Sequence, residues 1–384
     1  MDNHKIAINK ERLIKDFLEL VTIKSPSEQE EKISKRLKVI FKNLGLKSVT
    51  DRYGNLIFRL PGEGKPIALC AHMDTTTVGE GAKIKAIVND KIIKTDGKTI
   101  LGADNKDSIA AIIEALKIIK ETKKFKNRAA EIIITKEEEL ISKGAKNLNY
   151  GLIESKECII SDSSEPYGTV IVSAPYCFQF EIKILGERSH TKEPSKGIDV
   201  NKIIGKALQS APLGAINNRT TSNIAFQAIG LKGQIDNPES KLFDLMKSNR
   251  NIVPDFGVVA GEVRGIDPEL VQKCLNKIKT AFTKASLEFG GKSTFKMVKF
   301  AEGYSFSEKD PLILEIKKIF KSQKIKTKFS SFAEGSDANI FNKRRIKTVV
   351  ISSAHRNNHR TTEYSIIKDL MNLTDFYIRL LEVQ

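Results

Sequence analysis

The run Ile67-Ala68-Leu69-Cys70-Ala71-His72-Met73-Asp74-Thr75 passes from apolar residues to a histidine and, two residues later, an aspartate. A short apolar run bounded by Pro66 and a polar cluster predicts a buried strand of a parallel sheet. Side chains alternate along a strand, so His72 and Asp74 point to the same side. A carboxylate beside an imidazole can accept one ring N–H and leave the other nitrogen free for a metal. Taken alone, the pair also fits a satisfied surface histidine. Its meaning turns on recurrence.

The same ending returns along the chain. Ile100-Leu101-Gly102-Ala103-Asp104-Asn105-Lys106-Asp107 opens a helix whose apolar positions Ile109, Ile112, Ile113 and Leu116 follow the i, i+3, i+4, i+7 pattern. Asp104 then sits in the loop just before the helix, and Asp107 and Ser108 stand where capping residues are expected. Glu131 to Thr135 predicts a buried strand running into Glu137, Glu138 and Glu139, which is either a solvated acidic turn or a pair of carboxylates facing a cation. Cys158 to Ser161 is a strand ending in Asp162, and Thr348 to Ser353 precedes His355 and His359. In an open α/β sheet, ligands gather at the carboxyl ends of the strands. Mixed imidazole and carboxylate donors without thiolate suit zinc, cobalt or manganese in a hydrolytic centre. Two histidines and three carboxylates are too many for one open four-coordinate ion. They fit two ions about 3.5–4 Å apart that share a carboxylate.

The bulk properties narrow the class. At 384 residues the chain predicts about two domains, and 40% hydrophobic with 29% charged residues is ordinary for a soluble globular protein. No apolar run approaches the ~18 residues of a membrane span. Met1 to Val21 mixes Lys, Glu and Asp into an amphipathic pattern unlike a signal peptide. Cys70, Cys158, Cys177 and Cys274 lie far apart, three in apolar strand-like runs and one on a helix, which predicts buried free thiols and a cytoplasmic protein. The net charge of +17 is spread along the whole chain. Its densest cluster, Lys343-Arg344-Arg345 with Lys347, is short and carries no interleaved aromatic platform. Neither a nucleic-acid nor a membrane partner is expected.

Residues 9–21 and 28–44 read as amphipathic helices, Leu56 to Leu60 as a strand, and 84–95 as a hairpin. From Phe178 the pattern becomes strand (178–185), helix (200–210), strands (222–229 and 256–264), helix (268–287) and strand (293–300). That βαββαβ order is the ferredoxin-like split unit. The expected fold class is α/β: a catalytic domain with a mixed sheet flanked by helices (1–177 and 301–384), interrupted by an α+β domain (178–300).

The series AHMDT, LGADNKDSIAA, TKEEE followed by GAK, SDSSEPYGT, SHTKEPSKGID, NIVPD, GEVRGID, GSDANIF and NNHRTTEY resembles the dinuclear zinc peptidases of the peptidase T kind. Their superfamily also holds carboxypeptidase G, aminoacylases and desuccinylases. The resemblance runs from about Leu13 to Leu370. It implies His72 and Asp162 on one zinc, Glu139 and His359 on the other, and Asp104 bridging both beside a cis peptide to Asn105. Asp74 would orient His72. Glu138 would be the general base that takes a proton from the metal-bridging water. Counting back from Gly144-Ala145-Lys146 leaves Glu137 as a bystander. The inserted domain resembles the family's lid and homodimer contact. His190 there would help hold the oxyanion of a partner subunit's site, and Arg264 and Asn223 would bind substrate carboxylate or backbone. His355 has no matching role and His4 is a tail residue. The implied activity is a tripeptide-type aminopeptidase; an aminoacylase or carboxypeptidase-type amide hydrolase and a catalytically silent metal-binding relative are the alternatives.

This chain departs from the family pattern at four places. Thr191-Lys192 replaces Ala-Gly after His190, and Ile141 stands where a glycine usually follows the glutamate pair. The connection from Leu231 to Arg250 is long, and Arg360 is inserted after His359. None removes a ligand or the base.

Overall fold

The computed structural model describes residues 7–77, 79, 83–122, 125–236, 250–331 and 335–383. His4 and most of the long 231–250 connection lie outside these residues. The chain divides into two compact units, one formed by the segments up to Ala174 and from Ser305, the other by Pro175–Tyr304.

The first unit is built on an eight-stranded mixed sheet. Its order is Lys47–Thr50, Leu56–Leu60, Arg128–Thr135, Glu63–His72, Glu157–Ser163, Lys347–Ser352, Thr169–Ile171 and Lys328–Ser330. The four strands Arg128–Thr135, Glu63–His72, Glu157–Ser163 and Lys347–Ser352 are consecutive neighbours, and each pairs in parallel with the next. Their carboxyl ends therefore line up along one edge of the sheet. Ile67, Leu69, Ile132, Ile134, Ile159, Val349 and Ile351 are buried in one core cluster, as near-continuous apolar strands covered on both faces require. The helix Ala103–Glu121 packs against the sheet and against the helix Ile367–Leu381. Ile109, Ile112, Ile113 and Leu116 are buried as their spacing predicts, and so are Lys106, Asp107 and Glu114 on the remaining faces. The Glu114 carboxylate is held by Arg12 at 2.7 and 2.9 Å.

The expected hairpin is present as Ala86–Val88 and Ile92–Thr95. All four cysteines are free and buried. Among the described residues no helix is long and apolar enough to cross a membrane.

The second unit is an antiparallel sheet in the order Gly214–Asn217, Thr220–Gly230, Phe256–Gly265, Tyr176–Leu185, Lys292–Ala301. The helices Val200–Ser210 and Pro268–Glu288 share a core with it. Phe180, Ile182 and Ile184 alternate inward from the strand and meet Ile203, Ile204, Leu275, Ile278 and Phe282 from the helices.

Candidate metal centre

The four parallel strands deliver side chains to one edge. His72 is the last residue of its strand, and Asp162 lies in the final two residues of Glu157–Ser163. Glu138 and Glu139 follow the strand ending at Thr135, and His355 and His359 follow the one ending at Ser352. Asp104 enters at the start of the helix Ala103–Glu121, where its own backbone is still non-helical (φ −74°, ψ 106°) and its peptide bond to Asn105 is cis.

These residues form two groups that share Asp104. His72 Nε2 lies 3.0 Å from Asp104 Oδ1 and 3.5 Å from Asp162 Oδ1. His359 Nε2 lies 2.9 Å from the Glu139 carboxylate and 3.5 Å from Asp104 Oδ2. Within each of the sets His72/Asp104/Asp162 and Asp104/Glu139/His359, the donor atoms lie within 4.8 Å of one another. The five residues assigned as ligands are thus brought together, each carboxylate oxygen of Asp104 facing a different histidine.

The electrostatics show what the arrangement lacks. Burial pushes Glu138 well above the usual carboxylate range. Burial also raises Glu139, against the pull of His359, and burial with the neighbouring Asp104 carries Asp162 to about 7. Burial opposes charge on His72 too, but Asp162 and Asp104 outweigh it and hold the imidazole well above its ordinary value. Asp104, despite burial, is held well below its ordinary value by His355, His359 and His72. Several carboxylates crowded in a buried site disfavour one another's ionisation unless positive charge is placed among them. The donor set is imidazole and carboxylate without thiolate, and it fits hard or borderline divalent ions.

The surrounding residues fix this geometry. Asp74 does more than face His72, whose Nδ1 is 3.0 Å from the Asp74 backbone carbonyl and 3.4 Å from its carboxylate. The two Asp74 oxygens accept the backbone N–H groups of Glu138 (3.0 Å) and Glu139 (3.1 Å), and Oδ2 also accepts from Ser27 Oγ. One buried carboxylate thereby sets the register of the acidic pair. Asn105 Nδ2 donates to Ser161 O at 2.6 Å and to Asp162 Oδ1 at 2.7 Å. Glu137 points away from both groups and accepts from Tyr53 Oη at 2.7 Å.

Two acidic residues given no such part in the sequence reading anchor the loops. Glu363 is buried and accepts from Gly102 N at 2.7 Å and Asp104 N at 3.0 Å. Glu363→Gln keeps one acceptor oxygen and turns an amide N–H₂ toward the second backbone donor. Leaving such a buried donor unmade costs about 1–3 kcal/mol. The variant is expected to unfold at lower denaturant and to bind divalent ions more weakly; unchanged ion affinity would mean that the turn holds its shape without this anchor. Asp107 is the second. It contacts the next amide, Ser108 N, at 2.6 Å, but its other oxygen spans 246 residues of sequence or more to accept from Ser353 Oγ, Ala354 N and His355 N. The capping role expected for it is therefore only a small part of what it does.

The departure at Ile141 has a backbone explanation. Its φ is +65°, and the side chain is 48% exposed. A left-handed backbone costs a residue with a Cβ about 1–2 kcal/mol, of which glycine's extra freedom in the unfolded chain offsets about 0.5–1. Ile141→Gly is expected to raise the denaturant midpoint by an amount corresponding to up to about 1 kcal/mol. A lowered midpoint would mean that the isoleucine side chain makes contacts stronger than the strain.

His190, Asn223 and Arg264 belong to the second unit. Ser189-His190-Thr191 runs beside Asn251-Ile252-Val253: His190 bridges Ile252, and His190 Nε2 lies 3.3 Å from Asn251 Nδ2. Arg264 donates from Nε, with Nη2 also at 2.7 Å, to one oxygen of Glu262. Asn223 pairs with Glu262 and Thr221 with Arg264 across adjacent strands, so Asn223, Glu262 and Arg264 share a face.

Known proteins resemble this chain over most of its length. The uncharacterised protein YqjE of Bacillus subtilis (strain 168) is 32% identical over 386 residues, covering 98% of this chain and 99% of YqjE. The aminopeptidase PepT of Bacillus cereus ATCC 10987 superposes with a TM-score of 0.89 at 30% identity over 97% of this chain and 98% of that one. A tripeptidase of Staphylococcus aureus subsp. aureus Mu50 does so with a TM-score of 0.87 at 29% identity over the same shares. The profile of peptidase family M20/M25/M40 matches residues 68–383, and the chain belongs to that family.

Proposed function

We propose that this chain is a dinuclear metal-dependent exopeptidase, an aminopeptidase acting on short peptides such as tripeptides. The observation that carries this reading is the pair of donor groups sharing Asp104, with Glu138 half-buried beside them and belonging to neither. The solved relatives described as an aminopeptidase and a tripeptidase support the substrate class.

His72 and Asp162 would hold one ion and Glu139 and His359 the other, with Asp104 shared. Zinc is the first choice, and cobalt or manganese suit the same donors. Ions held there would polarise the scissile carbonyl and lower the pKa of water. Glu138 accepts a proton from the attacking water as the new C–O bond forms and returns it to the amine nitrogen as the C–N bond breaks. Its raised pKa suits a group that must carry the proton between those events. Ser142 Oγ, 3.2 Å from Glu138 Oε1, steadies the carboxylate. Arg264 and Asn223 bind the substrate's carboxylate or backbone, where a planar guanidinium is well matched. His190 stabilises the oxyanion across a homodimer formed through the second unit. Four buried free thiols agree with a cytoplasmic setting.

The test is hydrolysis of free and N-acetylated di- and tripeptides by the metal-loaded chain. Release of the first residue from free tripeptides is expected. Cleavage of acetylated amino acids in their place would move the function to the aminoacylase branch.

A further inference from the structure

Glu262 and Arg264 stand two residues apart on the strand Phe256–Gly265. Val259 and Val263 of that strand are buried in the core shared with the helices, so Glu262 and Arg264 leave the sheet on its other face. There a single Glu262 oxygen, Oε1, accepts from Arg264 Nε at 2.7 Å and lies 2.7 Å from Nη2. This contact occupies one edge of the guanidinium. Both N–H groups of Nη1 and the second of Nη2 have no hydrogen-bond partner among the described residues. The Arg264 and Glu262 side chains are 37% and 27% exposed, so as an ion pair they add little to stability. What the contact does is orient a flexible side chain.

The edge left open carries two parallel N–H groups, one on Nη1 and one on Nη2. That fork matches the two oxygens of one carboxylate, whereas a peptide carbonyl offers a single oxygen. We propose that Glu262 is a positioning residue for substrate selection, fixing Arg264 so that its open edge takes the terminal carboxylate of a short peptide. This rests on the peptidase reading above and narrows the Arg264 contact from carboxylate or backbone to carboxylate. Glu262 also carries a negative charge, which opposes the approach of a second carboxylate. Orientation and charge thus act with opposite signs, and variants of this one residue separate them.

The test compares KM and kcat for a free tripeptide and its C-terminal amide in the metal-loaded parent, Glu262→Ala and Glu262→Gln. The parent is expected to show a KM at least about 10-fold lower for the free peptide, as loss of a hydrogen bond to a charged group implies. Glu262→Ala releases the guanidinium and is expected to raise that KM about 10-fold, with kcat and the KM of the amide near parent values. Glutamine keeps an oxygen that can accept from Nε and Nη2, so Glu262→Gln should restore a KM at or below that of the parent. An unchanged or lower KM in Glu262→Ala would overturn the proposal, and so would a glutamine variant as weak as the alanine one. A rise for free and amidated peptide alike would assign Glu262 a purely structural part, and a parent indifferent to the amide would remove carboxylate selection. All of these leave the peptidase reading standing, whereas a parent that cleaves neither peptide removes both.

Discussion

Glu138→Gln is expected to cut kcat by about 10²–10⁴-fold, the range that a positioned general acid–base supplies, while ion stoichiometry stays as in the parent. Glu138 lies outside both donor groups, and its backbone N–H is fixed by Asp74 Oδ1 at 3.0 Å. Glutamine keeps the volume and the contact to Ser142 but cannot take a proton from water. The loss should fall on kcat with little change in KM, because the substrate is not held by this side chain. Two results would count against the assignment: turnover that survives, which would place the base elsewhere, or loss of an ion, which would make Glu138 a ligand.

Asp104→Ala is expected to have the largest effect on ion binding. Loss of a group that only supports a ligand costs about 10–100-fold in affinity, and Asp104 offers one oxygen to each group. Removing it should lower affinity for the second ion by at least about 100-fold and abolish turnover. It also strips the shared counter-charge from His72 and His359, the latter held near 11 by Asp104 and Glu139. Calorimetric titration of the metal-free variant checks this directly. Retention of two ions with ordinary affinity would mean that the groups do not share this carboxylate.

Much of the candidate centre was legible because four of its five donors, all but Asp104, stand at or just after the end of a strand whose apolar run stops abruptly. His72, Asp162 and the glutamates could be placed at strand ends from local pattern alone, as could the helix after Asp104. Partners separated by hundreds of residues could not. The Asp107 contact to the Ser353–His355 turn and the Glu363 contact to Gly102 and Asp104 depend on tertiary pairing that leaves no periodic trace. Lys106 is a further case. Its charge suggests a solvated helix face, yet it is fully buried, donates to Ile23 O at 2.7 Å and is lowered by burial to about 7, against the pull of Glu363 and Asp74. The strands Lys47–Thr50, Thr169–Ile171 and Lys328–Ser330 also escaped notice. They are three or four residues long and lie toward the sheet's margins, where short segments carry little alternation.

The central claim is that two ions on these donors make the chain a peptidase. Metal-free protein titrated with zinc, cobalt or manganese, with release of the first residue of a free tripeptide followed at each step, tests it most directly. Turnover should rise with loading and level off at about two ions per chain, as expected for a two-metal site, and a chelator should reverse it. Hydrolysis that persists without ions, or that never appears at any loading, would contradict the account.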